Sequence, residues 1–209
     1  MIRRVSSMAQ RTRRRQQRER TREEILAAAD RFLRQSPYRE LTVEVVMAQA
    51  GLTRTAFYRH FDDITDLVLQ LLAEIGKDLY AVAERWGAGA GTEYPAPGLE
   101  GLAGVVDFFV RHGPLVRAIA EAAVTDEQVE RAYRGSIETF IEMTAATFDR
   151  LVEQGRLEVR DTRALARALN FMNQAYLLEE FGRDPLGGDR ELALATLETV
   201  WLRVAGPTA

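Results

Sequence analysis

The 209-residue chain is predicted to be all-α, with nine helices in two domains. Three observations carry that expectation. Apolar residues recur at three- and four-residue steps through most of the chain, which is the period of a helix with one buried face. No segment sustains the apolar-polar alternation of a strand. Glycine, proline and capping residues then punctuate the pattern at intervals that suit helices. The divisions expected are an arginine-rich arm at 1–20, disordered when free, a small helical head at 21–66, and a larger helical body at 67–209 interrupted by a loop at 87–98.

Taken in order, the first helix begins at Thr21-Arg22-Glu23-Glu24, whose Thr21 and Glu24 have the spacing of a capping box. Ile25, Ala28, Ala29, Phe32 and Leu33 give it an apolar stripe, and Ser36-Pro37-Tyr38 ends it. A second helix follows Thr42 and stops at Gly51; a third runs from Thr53 to Phe61. Asp63 and Asp66 mark the start of a fourth, which stays periodic from Ile64 to about Trp86, a rod of roughly 35 Å at 1.5 Å per residue. Residues 87–98 hold four glycines and two prolines and read as a surface loop. No strand precedes them and no lysine follows, so they are not a phosphate cradle. Leu99–Arg111 and Leu115–Ala123 are separated by the breaker Gly113-Pro114. Asp126–Gln154, Thr162–Phe181 and Asp189–Val204 complete the set.

The stretch from Leu41 to Phe61 organises the whole. Thr42 stands ahead of a short apolar run in which Val43, Val46 and Ala50 share a face. Gly51 suits the left-handed conformation of a tight turn. Leu52 plugs the corner, and the hydroxyl of Thr53 is placed to cap the next helix. Phe57 and Phe61, four apart, face inward together. The opposite face carries Arg54, Thr55, Tyr58 and Arg59, with His60 beside them. These are groove- and phosphate-contacting types on a helix that fits a major groove, the pattern of a helix–turn–helix DNA reader.

The run Leu41-Thr42, Ala50-Gly51-Leu52-Thr53-Arg54, then Phe57-Tyr58-Arg59-His60-Phe61 resembles the DNA-binding head of tetracycline-repressor (TetR) type regulators. The resemblance implies that Arg54 and Thr55 meet base edges, with Arg59 beside them. Thr42, Thr53, Tyr58 and His60 then meet phosphates, which positions the protein without specifying sequence. Family members often open the fourth helix with a phosphate-contacting lysine, whereas the matching position here is Ile64, flanked by Asp62 and Asp63.

Charge adds a second strand to this reading. The net charge of −3 conceals nine arginines against one acid in residues 1–22, and a surplus of eleven acids in the remainder. The head at 23–70 has five arginines and eight acids, so it is net negative toward a polyphosphate. With the arm included, residues 1–70 carry +5. Arg13, Arg14 and Arg15 are therefore expected to contribute to DNA affinity, by entry into a minor groove as other arms do.

In the second half, Asn170–Leu178 and Leu192–Val204 are apolar on more than one face, so each needs two partners. A two-fold dimer built on these helices satisfies both and presents two readers to a palindromic site. Tyr133, Phe140, Met143, Thr144, Thr147 and Phe148 on one helix, with Phe108 and Phe109 on another, are plain core on composition alone. Asn170 and Asn173 change the reading, because two amides on one face of an apolar helix suit a small-molecule cavity. Ala168–Asn173 and Val200-Trp201 resemble the effector domain of the ethionamide-repressor branch of the same family. That resemblance implies a narrow apolar channel for elongated lipophilic ligands, with Asn170 and Asn173 as polar contacts and Phe108, Phe140, Thr144 and Trp201 as walls, Met143 among them.

Other classes are disfavoured. The chain contains no cysteine, which removes disulfides and thiolate metal sites. No run of eighteen apolar residues exists and the basic N-terminus has no apolar segment behind it, so neither a membrane span nor a secretory signal is expected and the protein is placed in the cytoplasm. The two histidines are His60, used by the reader, and His112, expected to cap a helix end beside Gly113-Pro114. Glu179-Glu180 is a solvated pair, and no metal, cofactor or catalytic spacing emerges. The expectation is a ligand-responsive regulator, most simply a repressor, with double-stranded DNA, a lipophilic effector and a second copy as partners. A DNA-architectural protein without effector and a helical enzyme are the rivals.

Overall fold

The computed structural model describes residues 2–89, 96–183 and 187–205, with side chains described for 12–82, 101–183 and 187–204. The helices are α1 (Ile2–Gln35), α2 (Val43–Ala50), α3 (Arg54–Phe57), α4 (Ile64–Gly89), α5 (Ala96–Ala122), α6 (Glu127–Glu153), α7 (Thr162–Phe181) and α8 (Arg190–Ala205), with a 3-10 turn at Tyr38–Glu40. No strand occurs among the described residues, so the all-α expectation holds.

The helix count differs from expectation at Gly113-Pro114. Eight α-helices are described instead of nine, because α5 runs straight through that pair. Leu115, Val116, Ala118, Ile119 and Ala122 are all buried beyond the proline. Tertiary packing of that face holds the helical direction although Pro114 offers no N–H. Gly113 has a different reason to be glycine. A Cβ there would lie 2.1 Å from the carbonyl oxygen of Phe181, so α5 and the end of α7 touch backbone to backbone.

The N-terminus differs too. Instead of a disordered arm and a cap at Thr21, α1 is one helix from Ile2. Arginine and glutamine are good helix formers, and Glu24 accepts from Arg20 one turn earlier in place of bonding back to Thr21. The rod after the reader reaches Gly89, three residues past Trp86. The centre of the expected loop, 90–95, and the expected stop at Gly206-Pro207 lie outside the described residues.

One core runs through head and body. Ile25, Ala28, Ala29 and Leu33 of α1 meet Val46, Met47, Phe57 and Phe61, and the cluster continues through Leu67 and Leu71 of α4 into Val106, Leu115 and Ile119 of α5. Arg34 of α1 donates to the carbonyl oxygen of Arg111 in α5 at 3.0 Å across the same seam. A second cluster joins α6 to α7 through Ile141, Ala145, Phe148, Ala166 and Leu169, with Val200, Trp201 and Val204 of α8 against it. Arg190 at the start of α8 is tied to Asp107 of α5 at 2.6 Å.

Candidate functional site: a helix–turn–helix reader and an apolar cavity

The reader forms as its residues dictate. Thr42 caps α2 by accepting from the Val45 N–H at 3.2 Å. Gly51 closes the helix at φ +67°, ψ 28°, the left-handed conformation that glycine adopts without Cβ strain. Phe57 and Phe61 are both buried, with ring centroids 5.3 Å apart. Thr53 stands at the N-cap of α3, yet its side chain makes no capping bond, so the hydroxyl expected to cap is exposed instead. The helix proper ends at Phe57, with turns over Tyr58, Arg59 and His60, shorter than the expected run to Phe61.

Thr42, Thr53, Arg54, Thr55, Tyr58 and Arg59 are exposed, and His60 is half-buried. Arg54 has two neighbours that the sequence left unpaired: it donates to Glu44 of α2 and, at 3.1 Å, to the hydroxyl of Tyr58. Its guanidinium also lies 5.6 Å from the Tyr58 ring centroid. The Tyr58 bond first, then the Glu44 carboxylate, raise its pKa, so the charge is permanent. Burial, then the nearby Arg18, lower that of His60, which favours its neutral form. Asp63 and Asp66 start α4 as expected: the Asp66 N–H donates to Asp63 at 2.8 Å, and Asp66 accepts from the Asp62 N–H at 3.0 Å.

The body encloses a cavity of about 120 Å³ between α4, α5, α6, α7 and α8. A single water needs roughly 10–15 Å³ of such space, so the cavity holds an organic molecule's worth. Of the residues expected at a ligand site, Phe108, Phe140, Asn170, Asn173 and Trp201 line it. Met143 and Thr144 do not: Thr144 is buried behind the wall, where its hydroxyl accepts from the Asn170 amide at 3.0 Å. Asn170 also donates to the Ala166 carbonyl at 2.9 Å. Asn173 accepts from the Trp201 indole N–H at 3.1 Å. Among the described residues the Asn170 carbonyl oxygen and the Asn173 amide nitrogen have no partner, which leaves an acceptor and a donor on a wall that also carries Tyr133, Ser136 and Gln174.

Several lining residues were missed. Gln174 donates to the Tyr133 hydroxyl, and burial raises the pKa of that phenol, so it stays protonated. The signal for Gln174 was its place four residues after Asn170, on the same face. The whole α4 side, including Leu72, Ile75 and Leu79, was also missed, since nothing in a run of aliphatics separates cavity from core. His112 is not a helix-end cap, because α5 continues; its Nε2 faces Asp78 of α4 at 3.1 Å. No cluster of metal-ligating side chains occurs among the described residues.

A helix–turn–helix head sharing its core with a helical body that encloses an apolar cavity is the build of a ligand-responsive transcriptional regulator. Residues 25–71 match the family described as bacterial regulatory proteins, tetR family. Residues 99–205 match the C-terminal domain of transcriptional regulator EthR. The chain belongs to the TetR family, with an EthR-type C-terminal domain. It is 26% identical over 183 residues to the HTH-type transcriptional regulator EthR of Mycobacterium tuberculosis, covering 85% of this chain and 83% of that protein. The EthR of Mycolicibacterium smegmatis is likewise 26% identical over 183 residues, covering 85% and 82%. Among solved structures, NalD of Pseudomonas aeruginosa, the secondary repressor of the MexAB-OprM multidrug efflux pump, superposes with a TM-score of 0.70 at 22% identity, covering 91% of this chain and 96% of that one. A TetR-family structure from Rhodococcus sp. gives 0.69 at 18% identity, covering 89% and 99%. These relatives are transcriptional regulators, and no helix among the described residues is long and apolar enough to cross a membrane.

Proposed function

We propose that the chain is a cytoplasmic repressor that binds a palindromic operator as a dimer and is released by a small lipophilic effector. Its head spans 21–66 and its effector and dimerisation body 67–209. Arg54 and Thr55 read base edges, with Arg59 alongside, while Thr42, Thr53, Tyr58 and His60 hold phosphates. Phe108, Phe140, Asn170, Asn173 and Trp201 hold the effector, with Thr144 fixing the Asn170 amide. Met143 does not line the cavity and is left out of the effector contacts.

The observation that carries the reading is the double role of α4. Its first turn abuts the reader, and further along the same helix Leu72, Ile75, Leu79 and Tyr80 line the cavity. A ligand that favours one pose of α4 over another changes the separation of two readers by its differential affinity for the poses. Thr65 of α4 donates to Asp126, the N-cap of α6, at 2.5 Å, a second link from head to body. A dimer is supported by Phe171, Leu192 and Leu202, large apolar residues left exposed on α7 and α8. Two copies set half-sites about 34–36 Å apart or a multiple of that.

Selection from random-sequence duplex DNA with the purified protein tests partner and symmetry together. A two-fold symmetric motif is expected. A featureless set of bound sequences would favour an architectural role, and an operator affinity indifferent to cavity occupancy would remove the effector from the account.

A further inference from the structure

The family match begins at residue 25, so the arginine segment that opens α1 lies before it. We propose that this segment is a helical clamp that lies along the phosphate backbone flanking the operator half-site, rather than a tail that threads a minor groove. The proposal rests on the head being a duplex reader.

Residues 1–18 hold seven arginines and no acid. Arg13, Arg14 and Arg15 are exposed and make no ion pair among the described residues. Arg20 and Arg22, closer to the core, are already matched by Glu24 and by Glu19 and Glu74. Along α1 the unmatched charge therefore gathers on the outward part of the helix. Those cations are also what the head needs, since Asp62 and Asp63 are exposed beside the reader and the head is net acidic.

Geometry settles the mode. Because α1 is one helix from Ile2 into the buried stripe at Ile25–Leu33, the direction of the extension is set by the head core. Positions 14, 18 and 22, one turn apart each, share a face. On that face Arg22 reaches Gln70 and Glu74 of α4, and Arg18 donates to the Arg59 carbonyl beside the reader at 3.4 Å. The face therefore runs past the reader's edge before it continues outward. A helix with its side chains is about 10–12 Å across, and a minor groove only about 6 Å wide. Seventeen helical residues extend about 25 Å, ample to follow phosphates beyond the bases that Arg54 contacts.

The full-length protein is titrated with its selected operator, first with native flanks of about ten base pairs and then trimmed to the half-site edges. The same series is run with the triple variant Arg13→Gln, Arg14→Gln, Arg15→Gln, which keeps helix-forming residues, and with Gln17→Pro, which interrupts the helix and keeps every charge. The parent should lose affinity on trimming. The triple variant should keep the base preference, ignore trimming, and show a slope of log affinity against log salt shallower by about 0.9 for each arginine that met a phosphate. Gln17→Pro should behave like the triple variant. Indifference of the parent to trimming overturns the clamp without any variant. A triple variant with unchanged slope overturns it too, and a normal Gln17→Pro beside a weakened triple variant shows a flexible tail instead. Failure of the parent to bind any duplex would sink the DNA reading itself, a result distinct from all of these.

Discussion

The indole N–H of Trp201 in α8 donates to the side-chain oxygen of Asn173 in α7 at 3.1 Å, across the floor of the cavity. That bond ties the position of the last helix to one of the polar side chains that line the cavity. Trp201→Phe removes the pyrrole half of the indole with its N–H, so it thins the packing and orphans an acceptor on a residue that is 7% exposed. The loss should be about 1–3 kcal/mol, read as a melting temperature lower by several degrees. In a double-mutant cycle Asn173→Ala should cost markedly less in the Trp201→Phe background than in the parent. Strict additivity would mean the bond carries nothing.

Arg54 is held between Glu44 and Tyr58 before any DNA arrives. Arg54→Ala should flatten base preference at one operator position, by roughly five- to 150-fold, while Tyr58→Phe weakens all sites alike. Glu44→Gln removes an acid that stands near phosphates and releases the guanidinium. It should tighten binding to all duplexes and narrow the ratio of specific to nonspecific affinity, with the melting temperature almost unmoved because both side chains are solvent-exposed. Binding-site profiling of the three variants checks these outcomes, and an unchanged profile for Arg54→Ala removes that residue from readout.

Two glycines should respond to alanine for different reasons. At Gly51 a methyl group would meet nothing within 4 Å, but φ is +67°, so Gly51→Ala should cost about 1–2 kcal/mol in backbone strain. At Gly113 the backbone is ordinary and the space is absent, with the Phe181 carbonyl oxygen 2.1 Å from where the methyl would sit. Gly113→Ala should cost about 3 kcal/mol or more, since α5 and the end of α7 must separate. Chemical denaturation ranks the pair, and the reverse order would contradict the packing described.

The Thr65 hydroxyl, together with the Val129 and Gln128 N–H groups, holds the Asp126 carboxyl below its ordinary value of 3.8. A carboxylate with a depressed folded pKa stabilises the fold fully above its unfolded pKa and loses that effect as pH falls through the folded one. The stability lost in Thr65→Val should therefore be complete at pH 7 and shrink below about pH 4. Equal differences between parent and variant at pH 7 and about pH 2.5 would show that the bond does not favour the ionised form. Because this bond joins α4 to α6, the same variant should also weaken the effect of effector on operator affinity.

The reader was legible because its signals are local. Thr42, Gly51, Phe57 and Phe61 each do what their residue type and spacing require, and Asp63, Asp126 and Asp189 start their helices with side-chain bonds to the next turn. Asn170 and Asn173 were legible for the opposite reason, as amides out of place on an apolar face. What escaped depends on partners far along the chain. Pro114 reads as a stop until the buried face behind it is known, and Glu44 reads as one more surface acid until α2 is folded against Arg54. Thr21 and Glu24 have a cap's spacing, yet the arginines before them are such good helix formers that the helix never begins there. Met143 and Thr144 share a helix with Phe140, yet neither lines the cavity, and the buried Thr144 hydroxyl meets the Asn170 amide instead.

The buried cluster that passes from α1 through the reader into α5 bears on any attempt to exchange parts between members of this family. A reader grafted from another chain would arrive with its own α1 against a foreign α5, losing fits such as Arg34 on the Arg111 carbonyl and Leu33 among its neighbours. Hybrids cut between α3 and α4 should therefore melt earlier than either parent, whereas recombination that carries α1 and the matching face of α5 together should preserve one sharp cooperative transition.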